Sequence, residues 1–568
     1  MYLDIVPNRN SPPAILLRES IRQGDKVVKR TLANLSRLTL EQAQQFRLIL
    51  KGNTLVDAQS HYEIIQSQPH GHVEAVLATM KRLGLARLIH HRRCKERDLI
   101  MALIASRILN PDSKLALSRS WDQSTLGSLL DIEEASDDAL YTAMDWLFDR
   151  QEAIETKLAQ RHLKNGGRVL YDLSSSYFEG DQCPLAARGY SRDQKKGKLQ
   201  VNYGLLTDAH GCPIAISAFP GNTMDSKTVR AQVERLQETF GLASVVLVGD
   251  RGMISQKQID ELNGKSGIDW ITALRTGAIR KLVATEAIQL SLFDEHNLFE
   301  LTHPDFPGEK LVACRNPGLA ARRTRTRQSL LDATVKELEK VQAMIHRGYL
   351  SDTDKIGVRV GKVINRYKMA KHFKLEIADS HFSFEIDQAH VNEEAALDGV
   401  YVIRSSLTGT EVSAEEAVRH YKALSQVERA FRSMKTMDLE IRPIRHYQEN
   451  RVRTHLLICM LAYYVKWHMM EAWRPLLFAD EDQKTKQNRD PVTPATRSDA
   501  AFAKISSKQL PDGTPAHSFQ SLLSHLATIV RNRCRRQEAD INEACFTIDT
   551  TPSPEQTRAL QLLKTIKM

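Results

Sequence analysis

The chain has 568 residues, of which 42% are hydrophobic and 26% are charged, and its formal charge at pH 7 is +10. This length is too great for one simple core, so two to four domains are expected. The ordinary composition excludes collagen-like and disordered classes of protein. The basic excess suits a polyanionic partner, but charge alone does not establish one.

The seven cysteines are scattered along the chain and form no CxxC pair. That pattern argues against a disulfide framework and against a structural zinc site. The apolar run at residues 456–465 is too short to span a bilayer, and the N-terminus lacks the basic start and apolar core of a signal peptide. We therefore expect a soluble, cytoplasmic protein with no membrane partner.

The N-terminal third of the chain changes from strands to helices. Residues 1–69 predict a small β unit, with two strand-like runs on either side of a hairpin turn at Gly24 and Asp25. Residues 70–166 place apolar residues at three- and four-residue spacing, which is typical of amphipathic helices. The turn residues Asn165, Gly166 and Gly167 then end this helical region.

The middle of the chain predicts an α/β fold. Residues 167–275 contain three strand-like runs, a helix, a short apolar strand, a second helix and a further strand. Such an order indicates a mixed sheet with helices on its faces. Residues 276–412 are expected to be strand-rich with one helix, residues 413–475 to form strong helices, and residues 476–568 to be a polar linker and tail.

Two aspartates in this region are candidate functional acids. Asp172 lies in an apolar strand, where a carboxylate must be paired, hydrogen-bonded or bound to a metal. Asp250 ends the strand SVVLVGD, and sites in α/β sheets form at the carboxyl ends of strands. If the two strands are neighbours, the carboxylates can share one metal ion. Taken alone, an Asp at a strand end is more often a turn or helix cap.

Glu428 is the third candidate acid, in a predicted helix from about residue 413 to 434. Tyr421 and Lys435 are each seven residues away and lie within about 20° of Glu428 around a continuous helix. Arg432 is one turn further along. The alternative is a solvated helix face on which Glu428 and Arg432 form a stabilising pair.

Together these segments resemble the DDE transposases of bacterial insertion sequences, in the class with a Tyr-Arg-Glu-Lys signature on its last catalytic helix. The similarity rests on YDLSSSYFEG around Asp172, GDRGMIS around Asp250, and the spacing of Tyr421, Glu428 and Lys435. LVACRNP, DGVYVIRSS and IRHYQENRVRTHLLICMLAYYV also resemble one branch of that class.

The resemblance implies an RNase H-like mixed-sheet catalytic core interrupted by a β-rich insertion, with an N-terminal β and helical DNA-binding region. Asp172, Asp250 and Glu428 would be the catalytic metal ligands, holding two Mg²⁺ ions that Mn²⁺ can replace. Tyr421 and Lys435 would contact DNA phosphates. The signature expects Arg where this chain has Leu424, and Arg432 could supply that contact instead.

The same resemblance implies a bacterial, nucleoid-associated protein whose partners are its terminal inverted repeats and a target DNA, with a homodimer in the active complex. The insertion carries four further candidate DNA-binding residues: Arg322, Arg323, Arg325 and Arg327. Two alternatives stay open, an RNase H-like two-metal nuclease without strand transfer and a non-catalytic DNA-binding relic. A phosphatase-type hydrolase with Asp172 as nucleophile lacks a second nearby Asp at the expected spacing.

Overall fold

A computed structural model describes residues 1–9, 11–53, 55, 62–294, 297–409, 411–436, 438–482, 489–493, 497–536 and 545–567. The chain forms two compact units. The first is Met1–Pro69 with Ile529–Thr551, and the second is His70–Thr528 with Pro552–Met568. The N-terminal part of the first unit ends at Pro69. The unit also contains Ile529–Thr551, which lies in the predicted tail.

The strands are numbered here in chain order. They are β1 (Tyr2–Val6), β2 (Ala14–Gln23), β3 (Lys26–Asn34), β4 (Tyr62–Pro69), β5 (Gly167–Tyr177), β6 (Gln200–Asp208), β7 (Pro213–Pro220), β8 (Val245–Gly249), β9 (Ile268–Ala273), β10 (Leu298–Leu301), β11 (Lys310–Arg315), β12 (Phe373–Ala378), β13 (His381–Ile386), β14 (Val400–Ser405), β15 (Val530–Arg536) and β16 (Phe546–Asp549).

The helices are referred to by their residues. The α-helices are Leu40–Leu50, Gly71–Arg82, Leu85–Ile89, Lys95–Leu109, Lys114–Ser118, Leu126–Leu130, Asp137–Phe148, Gln151–His162, Ser226–Glu234, Gln256–Asn263, Thr276–Ala284, Pro317–His346, Thr353–Tyr367, Gln388–Ala396, Ala414–Lys422, Leu424–Lys435, Glu449–Ala472, Asp499–Ser507, Phe519–Ala527 and Pro554–Leu563. The described residues also include a π-helical turn at Arg235–Thr239 and short 3₁₀ turns at Trp121–Gln123, Leu290–Asp294 and Ala370–His372.

The first unit contains two three-stranded sheets, β1-β2-β3 and β16-β15-β4. The predicted hairpin turn joins β2 to β3, and Gly24 has the positive φ of 61° that such a tight turn requires. In the second sheet β4 pairs antiparallel with β15. That pairing explains why a distant part of the predicted tail belongs to this unit.

The second unit is built on an eight-stranded mixed sheet, in the order β10-β11-β14-β9-β8-β5-β6-β7. The strands β5, β8 and β9 are parallel, while β6 and β7 run antiparallel to their neighbours. Every residue of β8 is buried, as expected for a short apolar strand in the middle of a sheet with both faces covered. The predicted α/β mixed sheet over residues 167–275 is therefore confirmed.

The helix Glu449–Ala472, called here the long apolar helix, joins the sheet to the helices of residues 70–166. It packs on β7 and on the helices Lys95–Leu109 and Asp137–Phe148. Fifteen of its 24 residues are buried, because it has neighbours on several sides. None of the helices in the described residues is long and apolar enough to cross a membrane.

Residues 276–412 differ from the strand-rich expectation. They contain five strands, but helices occupy more of their length, and Pro317–His346 alone has 30 residues. The helix Thr353–Tyr367 was not predicted, although its apolar residues Ile356, Val360 and Ile364 recur at four-residue spacing on a buried face. The strands β10, β11 and β14 extend the main sheet, whereas β12 and β13 form a separate hairpin.

The tail also differs from the expectation of a linker and weak structure. The helices Phe519–Ala527 and Pro554–Leu563 pack against Gly71–Arg82, and the indole of Trp473 donates a hydrogen bond to the Ala559 carbonyl oxygen at 2.9 Å. Of the predicted polar linker, residues 483–488 and 494–496 lie outside the described residues.

Candidate active site

The two aspartates lie on neighbouring parallel strands. In the register of β5 and β8, Tyr171 is paired with Gly249, so Asp172 and Asp250 each follow a paired residue. Adjacent strands are about 4.8 Å apart, which brings the two carboxylates to one edge of the sheet. Asp172 is half-buried and Asp250 is exposed.

The third acid is delivered by the helix Leu424–Lys435, called here the Glu428 helix. Its apolar face includes Val427 and Phe431 and packs on β5, and the Phe431 ring lies edge-on to Tyr203 with ring centroids 5.7 Å apart. Glu428 lies beside this buried face and is exposed. Leu424, where the family signature has Arg, is buried at the start of the helix.

The prediction of one continuous helix from residue 413 to 434 is wrong. The chain forms two helices, Ala414–Lys422 and Leu424–Lys435, that meet at Ala423. The Ala423 N–H donates to the carbonyl oxygens of both Arg419 and His420, and the Gln426 N–H donates to the Ala423 carbonyl oxygen. These tighter i→i+3 bonds interrupt the regular helix. Tyr421 and Glu428 therefore do not share one continuous helix face.

Electrostatics couple the three acids. Burial, the largest cause, and the negative charges of Asp250 and Glu428 together raise the pKa of Asp172 from an ordinary 3.8 to about 7. The Leu173 N–H, which donates to Oδ1 of Asp172 at 2.8 Å, and the charge of Arg192 oppose this rise in pKa. The ionised form of Asp172 is therefore disfavoured both by burial and by the charges of the two other acids, and a bound cation would favour it.

Tyr421 contacts the second acid directly. Its hydroxyl donates to Oδ1 of Asp250 at 3.1 Å, and burial together with this carboxylate raises the Tyr421 pKa. The loop after β8 also turns back on Asp250, because the N–H groups of Met253 and Ile254 donate to its carbonyl oxygen. Both contacts fix the position of this carboxylate at the edge of the sheet.

Two residues near the acids, Arg192 and Asp193, were missed by the sequence reasoning. Arg192 donates to Oδ1 of Asp225 at 2.6 Å, and its charge favours ionised Asp172. The Asp193 side chain is only 1% exposed and pairs with the ammonium of Lys435 at 3.1 Å and the guanidinium of Arg442 at 2.5 Å. Arg192 and Asp193 lie in a loop rich in Lys and Gly. Such a composition indicates a solvated turn, so the sequence gives no sign of their contacts.

The structure separates the predicted DNA-binding residues into two groups. Lys435 and Arg327 are held in ion pairs, Lys435 with Asp193 and Arg327 with Asp398, and their side chains are each 10% exposed. These ion pairs and this burial restrict the access of a phosphate to both side chains. The other four cations are exposed: Arg322, Arg323, Arg325 and Arg432.

The donor set fits a hard divalent cation. Asp172, Asp250 and Glu428 offer only carboxylate oxygens, which are the ligands that Mg²⁺ and Mn²⁺ prefer. The raised pKa of Asp172 means that its surroundings disfavour the ionised carboxylate. A bound cation would stabilise that carboxylate.

Comparison with known proteins identifies the family of the chain. Residues 169–465 match the family model described as the transposase DDE domain, and residues 3–61 match that described as the IS1634 family transposase, N-terminal domain. A comparison with curated proteins found no match.

One similar solved structure is a cryo-EM structure of the piggyBac transposase synaptic complex with hairpin DNA. It is 11% identical, with 80% of this chain and 76% of that chain covered, at a TM-score of 0.34. At that TM-score the likeness carries no argument about site or mechanism. The transposase DDE domain model covers more than half of the chain, including Asp172, Asp250 and Glu428, and the chain belongs to the DDE transposases of insertion sequences.

Proposed function

We propose that this transposase cuts DNA at the ends of its element and joins the freed ends to a target, using Asp172, Asp250 and Glu428 as ligands of two Mg²⁺ ions. The observation that carries the proposal is the convergence of the acids: Asp172 and Asp250 are adjacent in the β5–β8 register, and the charge of Glu428 reaches Asp172. Oxygen-only donors favour Mg²⁺ over softer cations.

The strand order supports an RNase H-like core. The order β7-β6-β5-β8-β9, with only β6 antiparallel to both of its neighbours, is that of the RNase H-like sheet, with its first acid on β5 and its second after β8. Residues 276–412 would then be the insertion that precedes the helix with the third acid. In this chain the insertion adds three strands to the free edge of β9.

The side chains around the acids have separate tasks in this proposal. When bound, two Mg²⁺ ions supply Lewis-acid stabilisation of the attacking and leaving oxygens at phosphorus. Asp172, on which the charges of both other acids act, would be the ligand shared by the two ions, while Asp250 and Glu428 would each hold one. The Tyr421 hydroxyl orients the Asp250 carboxylate, and Arg192 lies close enough to offset charge at Asp172.

The exposed cations would hold the DNA backbone. Arg432 is one turn beyond Glu428, so we assign to it the phosphate contact that the family signature gives to a different position. The exposed Arg322, Arg323 and Arg325 would follow the strand beyond the site by backbone contacts that read no sequence. Base readout of the terminal repeats is assigned to residues 1–166, and coordinated joining of two ends implies a homodimer.

The test uses purified protein, labelled duplexes carrying the DNA that flanks its gene, and a supercoiled target plasmid. Mg²⁺-dependent cutting followed by joining to the plasmid is expected, and EDTA should abolish both. Cutting without joined products would favour a two-metal nuclease. Binding with neither product in any divalent cation would favour a non-catalytic relic, and either result would overturn the proposal.

Metal binding should also depend on pH. Asp172 with a pKa of about 7 keeps a proton that an unfolded Asp releases near pH 4, so the stability of the ion-free protein should fall as pH rises from about 4 to 7. Mg²⁺ competes with that proton. We therefore expect Mg²⁺ to raise the midpoint of thermal unfolding more at pH 8 than at pH 6. An equal Mg²⁺ response at both pH values would contradict the raised pKa.

A further inference from the structure

Away from the acids, the second unit brings together two histidines and a cysteine that are distant in sequence. His162 ends the helix Gln151–His162, Cys212 lies in the turn between β6 and β7, and His468 lies on the long apolar helix. One ligand atom from each of the three lies within 4.8 Å of those of the other two. Because the three residues are far apart in sequence, cysteine spacing along the chain cannot reveal this group.

The separations are close to those of a tetrahedral metal centre. Zn–S and Zn–N bonds of about 2.3 and 2.0–2.1 Å place neighbouring ligand atoms about 3.4–3.6 Å apart. Sγ of Cys212 is 3.9 Å from Nε2 of His468, already near that value. Side-chain shifts of about 1 Å or less would bring all three atoms onto one ion.

The surroundings orient these ligands. The Tyr464 hydroxyl is 3.0 Å from Nε2 of His162, which leaves Nδ1 as the other possible ligand atom, and the Cys212 N–H donates to Oδ1 of Asp208 at 2.9 Å. Such hydrogen bonds beside a site fix its ligands in the manner of known metal centres. His162 and Asp208 also line an open cavity of about 420 Å³, so one of the three ligands borders solvent-accessible space.

The protonation states suit a soft or borderline cation. Burial lowers the pKa of His468 to about 4 and also lowers that of His162, so both rings are neutral near pH 7 and can bind a metal without losing a proton. Burial raises the pKa of the Cys212 thiol, which therefore ionises only when a cation replaces its proton.

We propose that His162, Cys212 and His468 form a second, non-catalytic site for a borderline-soft divalent cation of the Zn²⁺ type, with water from the cavity as fourth ligand. As the S–Zn bond forms, the thiol S–H bond breaks and its proton leaves to solvent, one per ion bound. The ion cross-links the helical region, the catalytic sheet and the long apolar helix. Its N₂S donor set differs from the oxygen-only set of the three acids, so the two sites select different metals.

The test is a titration of metal-free, full-length protein with Co²⁺, followed by Zn²⁺. Co²⁺ should give the near-ultraviolet thiolate-to-cobalt charge-transfer band, which an acid site cannot produce, and Zn²⁺ should remove that band at one ion per chain. Zn²⁺ should also raise the midpoint of thermal unfolding. Cys212→Ser should lose the band, and His468→Ala should weaken binding by at least about tenfold.

A matched control exists in the same long helix. Cys459 is buried, and its Sγ is 4.0 Å from Nε2 of His455, but within the described part of the chain no third ligand atom completes a group with this pair. Cys459→Ser should therefore keep the band and the Zn²⁺ affinity. Tyr464→Phe, which removes only the hydroxyl beside His162, should keep the band and weaken binding about tenfold.

Three outcomes would overturn the site. They are no band in the wild-type protein, a band that survives in Cys212→Ser, and a band lost equally in Cys459→Ser. Because the first is measured on unaltered protein, poor folding of a variant cannot hide it. DNA cutting and joining play no part in this readout, so the site can fail while the proposed catalytic function stands.

Discussion

Asp172→Asn is expected to abolish DNA cutting and joining while leaving DNA binding intact. Removal of one group that stabilises transition-state charge costs roughly 10²–10³ in rate, and loss of a ligand shared by two ions should cost at least about a thousandfold. The same change should stabilise the ion-free protein, because it removes a carboxylate whose ionised form is disfavoured by burial and by Asp250 and Glu428.

The measurements are single-turnover cleavage and thermal unfolding with and without Mg²⁺. The variant should lose both cleavage and the Mg²⁺-induced rise in midpoint, with its ion-free midpoint at or above that of wild type. Asp260→Asn is a matched control, since Asp260 is an exposed acid on the helix that follows Asp250. Cleavage that survives in Asp172→Asn would show that another acid occupies the central position.

Asp193→Asn is expected to lower the free energy of unfolding by about 3–5 kcal/mol, the usual cost of breaking a buried ion pair. The Asp193 carboxylate is 1% exposed, pairs with Lys435 and Arg442, and accepts a hydrogen bond from the Tyr177 N–H at 3.1 Å. Asn keeps the shape but leaves two neighbouring cations without their anion. Because Lys435 ends the Glu428 helix, cleavage should fall as well.

Urea denaturation of the wild type and the variant measures this effect. Lys435→Met in the Asp193→Asn background removes one of the stranded cations and should restore part of the lost stability, which a double-mutant cycle would quantify. An unchanged urea midpoint in Asp193→Asn would mean that the ion pair contributes nothing to stability. If the double variant regains stability but not cleavage, the ion pair has a role in the site in addition to its role in stability.

Local sequence pattern was sufficient to predict the main sheet and the places of Asp172 and Asp250 in it. The short, β-branched run VVLVG at β8 is typical of a buried interior strand, and the turn residue Gly24 defines the hairpin of β2 and β3. Asp172 stood out because a carboxylate in an apolar strand needs a compensating partner. The roles of Asp172, Asp250 and Glu428 nevertheless stay predictions until they are tested.

Features set by distant contacts could not be predicted from the same patterns. Nothing near Asp193 indicates that Lys435 and Arg442 will surround it, and nothing near β15 indicates that β4 is its partner. The interruption between the two helices at Ala423 occurs without Gly or Pro. Helix propensity alone therefore predicts one unbroken helix. The group of His162, Cys212 and His468 likewise exists only in three dimensions.

The pairing of β9 with β14 sets the order in which the enzyme can fold. Ala273 is paired with Ile403, so the main sheet closes only after residues 274–402 have formed a loop whose ends meet. Closing so long a loop loses conformational entropy before the stabilising contacts between the strands form. Pairing of strands that are distant in sequence is therefore slow. The Glu428 helix begins soon after β14, so the third acid should reach its partners late. A refolding chain should therefore regain most of its helix signal before it regains any response to Mg²⁺.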